Sequence, residues 1–406
     1  MNNLASFFVT LYAARELGPE VFGTLGLLVA LSMFGVSLFD CGTSVSMVRS
    51  YNANESTWSV FPTILLWKVA FGAICVLTSF LIIPFGQVGP LVRSLGGPEG
   101  VVLSVVASSL TSVWFTIKGA FQALGYFREL SSLLVGYAAI RCILLVTLVA
   151  SSDPSVFLFL VALYIVPVGL IAPIGWIAFV RKSRCEGTDT SVVWSFKNSF
   201  ATLKRVFSYG KWVAVSSIAF AVLWRVPIFS LNRQENLEQV GVFNAGMTFV
   251  AIFVLLNTSA RTLILPRVSA MSTNDERIRF RSSAMKFAVP YTLVMAVAIG
   301  AIALVQFFVL GPTYRAAVPV FLILGVGTAV MMFAGLFNSL VHAHGVPSMD
   351  AKANLAKIVV LLLALAIAPV NVIATATVFA VVIAVGEWGL FAALYRREFK
   401  QRNVAE

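Results

Sequence analysis

The chain has 406 residues, of which 59% are hydrophobic and only 11% charged, an imbalance that no soluble core of this size can hide. A net charge of +12 would suggest nucleic acid for a soluble domain, but here Lys and Arg sit mostly in alternate connections between apolar runs, which is a membrane orientation signal. A soluble enzyme and a nucleic-acid-binding module are excluded, and recurring apolar runs of about 20 residues make the class all-α and polytopic, not a barrel.

In chain order, twelve transmembrane helices are predicted near residues 4–17, 21–47, 58–84, 100–125, 130–150, 154–180, 207–231, 240–266, 284–310, 315–343, 352–369 and 372–395. The first is too short to cross untilted, which implies either a chain that starts later than its relatives or an incomplete first helix. It has neither a basic start nor a small-residue cleavage site, so it reads as a retained span and not a signal peptide. Cys41, Cys75 and Cys142 fall in apolar runs and Cys185 in a basic connection, a pattern of packing residues and not of disulfides or metal ligands. Even-numbered connections and the C-terminal tail hold nineteen Lys and Arg, Arg49 and Lys357 among them, against four in odd-numbered ones: Arg15, Arg93, Arg233 and Arg315. This bias predicts cytoplasmic even loops and cytoplasmic termini, and it would scramble with one span more or fewer.

The longest polar connection, Arg181 to Arg205, divides the spans six and six. It predicts an N-terminal lobe at 1–182, a cytoplasmic linker at 183–205, a C-terminal lobe at 206–396 and a tail at 397–406. An internal repeat supports two lobes: Glu20-Val21-Phe22-Gly23 falls opposite Glu238-Gln239-Val240-Gly241, and the same offset sets Arg49 opposite Arg267. With an even number of spans in each half, both halves enter from one face, so the repeat is parallel, about an axis along the membrane normal.

The stretch Ala14-Arg15-Glu16-Leu17-Gly18-Pro19-Glu20-Val21-Phe22-Gly23 resembles the opening of bacterial polysaccharide exporters. Asp40-Cys41-Gly42 followed by Arg49 resembles the end of their second helix, and Gly311-Pro312-Thr313-Tyr314 and Ala343-His344-Gly345 sit where they carry similar turns. The chain is thereby similar to the Wzx-type O-antigen and capsule flippases, within the multidrug/oligosaccharidyl-lipid/polysaccharide group that also holds MurJ and the MATE exporters. The resemblance implies a MATE-like pair of six-helix lobes, alternating access, and a polyprenyl-diphosphate-linked oligosaccharide as cargo. It further implies a role in lipopolysaccharide, capsule or exopolysaccharide synthesis at the bacterial cytoplasmic membrane, as a monomer beside a glycan polymerase or export complex.

Ionisable residues deep in a span are costly and therefore point to function. Lys68 and Arg141 lie roughly ten residues from their helix ends, about 15 Å, too far for easy snorkelling. They are read as cavity residues that bind a diphosphate, against the alternative of an internal ion pair holding helices together. Lys118, Arg225 and Arg261 lie nearer an end and either line the cavity or snorkel. Trp114, Lys118 and Gln122 form a stripe at helical spacing that suits a sugar phosphate or a neighbouring helix. Asn257, one turn before Arg261, is a substrate wall or an interhelical bond. Arg49 and Arg267, paired by the repeat, stand at the expected cavity mouth, where ordinary charged anchors also stand.

Asp40 and Glu387 are the carboxylates placed inside spans, and they are candidates for coupling, gating or an ion-pair lock. His342 and His344 lack ligand-spaced partners and read as loop residues, not a metal site. No cofactor is expected, a proton or sodium gradient being the candidate energy source. Absence of an Asp-x-Asp motif and of a Walker motif argues against a glycosyltransferase and an ATPase. Mostly basic intramembrane charge argues against an exporter of cationic drugs. A non-transporting scaffold of a glycan-assembly complex, or a peptidoglycan-precursor exporter, remains the alternative reading.

Overall fold

The computed structural model describes residues 2–44, 57–82, 89–149, 155–185, 196–234, 236–269, 274–343 and 347–405, and every regular element among them is helical. Helix α1 (Asn2–Asp40) carries the first two predicted spans through a break at Gly18, where φ is 73° and ψ 169°, just ahead of Pro19. There follow α2 (Thr57–Ile82), the short α3 (Pro90–Ser94), α4 (Pro98–Ala123), α5 (Phe127–Val149), α6 (Val156–Leu160), a π-helical turn (Val161–Ile165) and α7 (Val166–Cys185). The second half runs α8 (Phe196–Leu231), α9 (Leu237–Ser269), α10 (Asn274–Met285), α11 (Ala288–Leu310), α12 (Ala317–Ala343), α13 (Pro347–Ile367) and α14 (Val372–Ala405).

Each predicted span falls on a helix, and ten helices among the described residues are long and apolar enough to cross a membrane. Ten differs from twelve because α1 holds two spans in one kinked helix and because α13 spends its first turns on Asp350, Lys352 and Lys357. The second span is interrupted at Cys41-Gly42 and helical backbone resumes at Thr43 and Ser44, while residues 45–47 lie outside the described residues. Cys41 and Gly42 take positive φ values of 42° and 70° and end α1 at Asp40, where the backbone of Gly42 meets that of Ala214 in α8 too closely for a side chain. Large apolar side chains point outward along the spans, among them Phe308, Val297, Val146 and Ile367. That inversion of a soluble surface is what lipid as solvent allows.

The chain forms two compact units, one of Met1–Ala13 with Thr24–Arg225 and one of Ala14–Gly23 with Val226–Glu406. In the first, α4 is held to α1 by hydroxyls: Ser104 Oγ donates to the Leu28 carbonyl at 3.2 Å and Ser108 Oγ to that of Ser32 at 2.9 Å. Small residues and interhelical hydrogen bonds replace the hydrophobic drive that lipid removes. Below them a cluster of Phe61, Trp114, Phe121, Tyr126 and Phe179 packs α2, α4, α5 and α7 together.

In the second unit α12 is central: 67% of its apolar window is buried, against 28% for α11 on the lipid side. Phe249 and Phe253 of α9 stack around Phe321 of α12, and Tyr291 of α11 donates to the Ala329 carbonyl at 2.8 Å. Segment Ala14–Gly23 crosses α9 at a backbone-to-backbone contact. A Cβ on Gly23 would stand 2.0 Å from the carbonyl oxygen of Leu237, and one on Gly241 would stand 1.8 Å from that of Pro19. Gly23 to Gly241 and Pro19 to Leu237 are both steps of 218 residues. The contact is thus reciprocal between repeat-related positions, the signature of a local two-fold relation. The internal repeat inferred from sequence is present in the fold.

Tyr314 completes this corner. It is buried, its hydroxyl donates to the Ala14 carbonyl at 2.8 Å, and its ring meets Phe22 edge-on. The Gly18-Pro19 break opens carbonyls in the preceding turn, and in lipid such groups need another donor. Burial pushes the Tyr314 phenol far above its ordinary pKa, so it stays a donor at any physiological pH. Tyr314→Phe removes that donor and is expected to cost about 1–2 kcal/mol, read as earlier thermal unfolding of the purified protein in detergent.

Candidate functional site

Lys68 is buried at 1% exposure near the middle of α2, as its apolar flanks dictate, but it is paired. Its Nζ lies 2.7 Å from Asp40 Oδ1, with the Ser112 carbonyl at 3.4 Å and Ser44 Oγ at 3.5 Å. Ser44 also donates to Asp40 Oδ1, and the Thr43 hydroxyl donates to the Asp40 main-chain carbonyl. The turn at Cys41-Gly42 folds Thr43 and Ser44 back onto the end of α1, and this gives Asp40 its donors. The expectation of a free cation in a cavity is therefore corrected at Lys68: the acid that the sequence reading did not place beside it is Asp40. Glu387 behaves alike. It accepts from Lys357 Nζ at 2.6 Å, and Lys357 also donates to Asn354 at 3.2 Å. Lys357, counted from sequence as a loop charge, is buried at 5% exposure in α13. Each pair joins two helices, α1 to α2 through Asp40 and Lys68, and α13 to α14 through Lys357 and Glu387.

Arg141 is buried in its span. It is 4% exposed in α5, and its guanidinium lies over two tyrosine rings, Tyr137 at 5.7 Å and Tyr164 at 5.1 Å to the centroid. Tyr137 lies one helical turn before Arg141, a spacing that lets their side chains meet. Arg225 of α8 is half-buried. Both arginines and both tyrosines belong to the first unit.

The stripe Trp114, Lys118, Gln122 does not form one site. Trp114 is buried in the aromatic cluster and stacks on Tyr137 at 6.4 Å, Lys118 lies over Phe115 at 5.7 Å, and Gln122 is exposed. Trp114 thus takes the packing role that the same spacing allowed. Asn257 of α9 is buried, and its Oδ1 accepts no hydrogen bond among the described residues. Arg261 and Arg267 continue along α9, but their side chains lie outside the described residues, as do Arg49 and His344 altogether. The sequence reading missed Tyr164, Tyr137 and Lys357. Tyr137 was legible one turn before Arg141, whereas Tyr164 comes from a different helix and carried no spacing signal.

This twelve-span helical fold has relatives. The sequence profile of the family described as polysaccharide biosynthesis protein matches residues 1–272. The chain belongs to that family. Among solved structures, it is similar to a multidrug resistance MATE family transporter of the MOP superfamily in its inward-facing conformation. There the TM-score is 0.76 at 13% identity, covering 100% of this chain and 96% of that one. The lipid II flippase MurJ, inward closed, gives a TM-score of 0.70 at 11% identity over 97% of this chain and 85% of that one. A MOP superfamily transporter from Pyrococcus furiosus gives 0.65 at 14% identity over 98% and 91%. No curated protein sequence matches the chain. At such identities the structures establish a shared MATE-like fold, and within it the protein is a multi-pass membrane member of the polysaccharide biosynthesis family. The solved relatives are themselves transporters and a flippase.

Proposed function

We propose that this protein is a flippase that carries an undecaprenyl-diphosphate-linked oligosaccharide from the cytoplasmic to the outer leaflet of a bacterial cytoplasmic membrane by alternating access. The observation that carries the reading is Arg141, a guanidinium buried in the middle of an apolar helix and faced by tyrosine rings. A diphosphate crossing a low-dielectric interior needs a fixed cation that offers several N–H donors, and Arg supplies them as a planar fork. Family membership supports a glycan precursor as cargo, and the +12 charge with its alternate-loop bias supports cytoplasmic termini. Arg225, Arg49, Arg261 and Arg267 are assigned to the path of the same anion. In this reading Asp40 and Glu387 act first as locks on Lys68 and Lys357. The two pairs are the assigned points at which a proton or sodium gradient would couple to movement.

The test is reconstitution into liposomes with a lipid-linked oligosaccharide, scoring the fraction of cargo that becomes accessible from the opposite leaflet. Arg141→Ala is expected to lower the rate about tenfold or more at equal membrane abundance, since a charge-assisted pair contributes about 1.5–3 kcal/mol. Arg141→Lys, which keeps the charge and loses the fork, should fall between. Transport by Arg141→Ala at the native rate would remove the role given to this residue. No transport by the native protein, with or without a proton or sodium gradient, would remove the flippase reading itself.

A further inference from the structure

The short helix α10 leads straight into span α11, and the residues that join them mark the edge of the hydrocarbon. Phe287 is 68% exposed and Val289 70%, and Leu293, Val294 and Val297 point outward in the turns that follow. Apolar side chains face outward in such a run where the solvent is lipid. The Lys286 amide closes the joining turn by donating to the Ser283 carbonyl at 3.2 Å. Lys286 is thereby fixed at the boundary, beside the layer of lipid headgroups. Arg279 lies seven residues earlier, about 10 Å along the helix axis, and its long side chain shortens that distance further.

Arg279, Ser282, Ser283 and Lys286 are all exposed, and their spacing of i, i+3, i+4 and i+7 sets them in one stripe. Two hydroxyls thus stand between two cations. Asp275 and Glu276 sit in the first turn, at the opposite end from Lys286, where acids complement the helix dipole. Helix α10 also meets α14 within the same unit. There Tyr395 and Arg396 are exposed in succession near the end of the last span, a ring and then a cation at the same kind of boundary as Phe287 and Lys286. A lipid phosphate on the stripe gains charge-assisted bonds from Arg279 and Lys286, and the two serine hydroxyls donate to its other oxygens or to a hydroxylated headgroup. A zwitterionic lipid brings its own ammonium up to the same cations and forfeits much of that gain.

We propose that the stripe of Arg279, Ser282, Ser283 and Lys286 binds the headgroup of an anionic phospholipid of the phosphatidylglycerol kind, drawn from the surrounding bilayer. The site is independent of the cargo and of the path assigned to it above.

The experiment is native mass spectrometry of the full-length protein in detergent, supplied with phosphatidylglycerol or with phosphatidylcholine of the same chains. Each cation at such a surface strengthens anionic-lipid binding about fivefold, so phosphatidylglycerol is expected to be retained about tenfold or more over phosphatidylcholine. Arg279→Gln/Lys286→Gln should bring that preference below about threefold, at an unchanged melting temperature since both positions are exposed. Arg128→Gln/Arg181→Gln removes the same charge from exposed positions of the first unit and should keep the preference. Should the α10 charge variant melt early, Ser282→Ala/Ser283→Ala gives the second reading, with a loss of about threefold expected. Equal retention of the two lipids by the native protein, an equal loss in both charge variants, or a native preference after the changes in α10 would overturn the proposal. So would displacement of the lipid by an equal concentration of glycerol 3-phosphate, which would assign the stripe to a soluble phosphate.

Discussion

Gly241→Val is expected to leave little folded protein in the membrane. The smallest side chain at this position would bring a carbon to 1.8 Å from the Pro19 carbonyl oxygen, and the opposing atom belongs to the backbone, with no rotamer to move it aside. The facing glycine is under the same constraint, since a Cβ on Gly23 would stand 2.0 Å from the Leu237 carbonyl oxygen and 3.0 Å from the Gly241 nitrogen. Relief requires the Ala14–Gly23 segment and α9 to part by more than an ångström. That movement also pulls on the bond from Tyr314 to Ala14 and on the edge contact of Tyr314 with Phe22. A cost of about 3 kcal/mol or more is expected for overpacking against backbone, read as loss of the monodisperse peak in detergent chromatography. Because one contact holds both glycines, Gly23→Ala and Gly241→Ala should not add: the double variant is expected to lose little beyond the worse single one. Strict additivity would show that the two positions are not in contact.

Asp40→Asn is expected to destabilise the protein by about 3–5 kcal/mol, because it strands an ammonium that is fully buried. The reverse change should cost less. Lys68 has a side-chain exposure of 0% and Asp40 one of 18%, so after Lys68→Met the carboxylate is less enclosed than the ammonium was and keeps the Ser44 hydroxyl as a donor. The ordering Asp40→Asn worse than Lys68→Met, with partial recovery in the double variant Lys68→Met/Asp40→Leu, is the mark of a structural ion pair. Thermal melting in detergent measures all three. If Lys68→Met instead melts at the native temperature and loses transport, Lys68 belongs to the cargo path and the lock assigned to it is wrong.

How far each feature could be read from the chain follows from what kind of interaction made it. Spans were legible because their solvent is lipid, and an apolar run of sufficient length reports that solvent residue by residue. The Gly18-Pro19 break was legible for the same local reason, since it lies in the backbone chemistry of two adjacent residues. Tyr137 could have been found at four residues from Arg141. The pairing of Lys68 with Asp40 could not, because 28 residues and a turn separate them. Spans that are apolar all round leave the rotation of each helix unspecified in the sequence pattern.

By itself, the sequence determined that the protein is a twelve-span helical membrane protein, that its halves repeat at an offset set by Gly23 and Gly241, and which few charged residues lie within the spans. Only the tertiary structure decided what those charges do. It closed Lys68 on Asp40 and Lys357 on Glu387, buried Trp114 in an aromatic cluster, and set Arg141 against a tyrosine from another helix. The reason is one of range: transfer into lipid is decided along a single helix, whereas neutralising a charge at about 3 Å depends on the relative rotation and register of two helices.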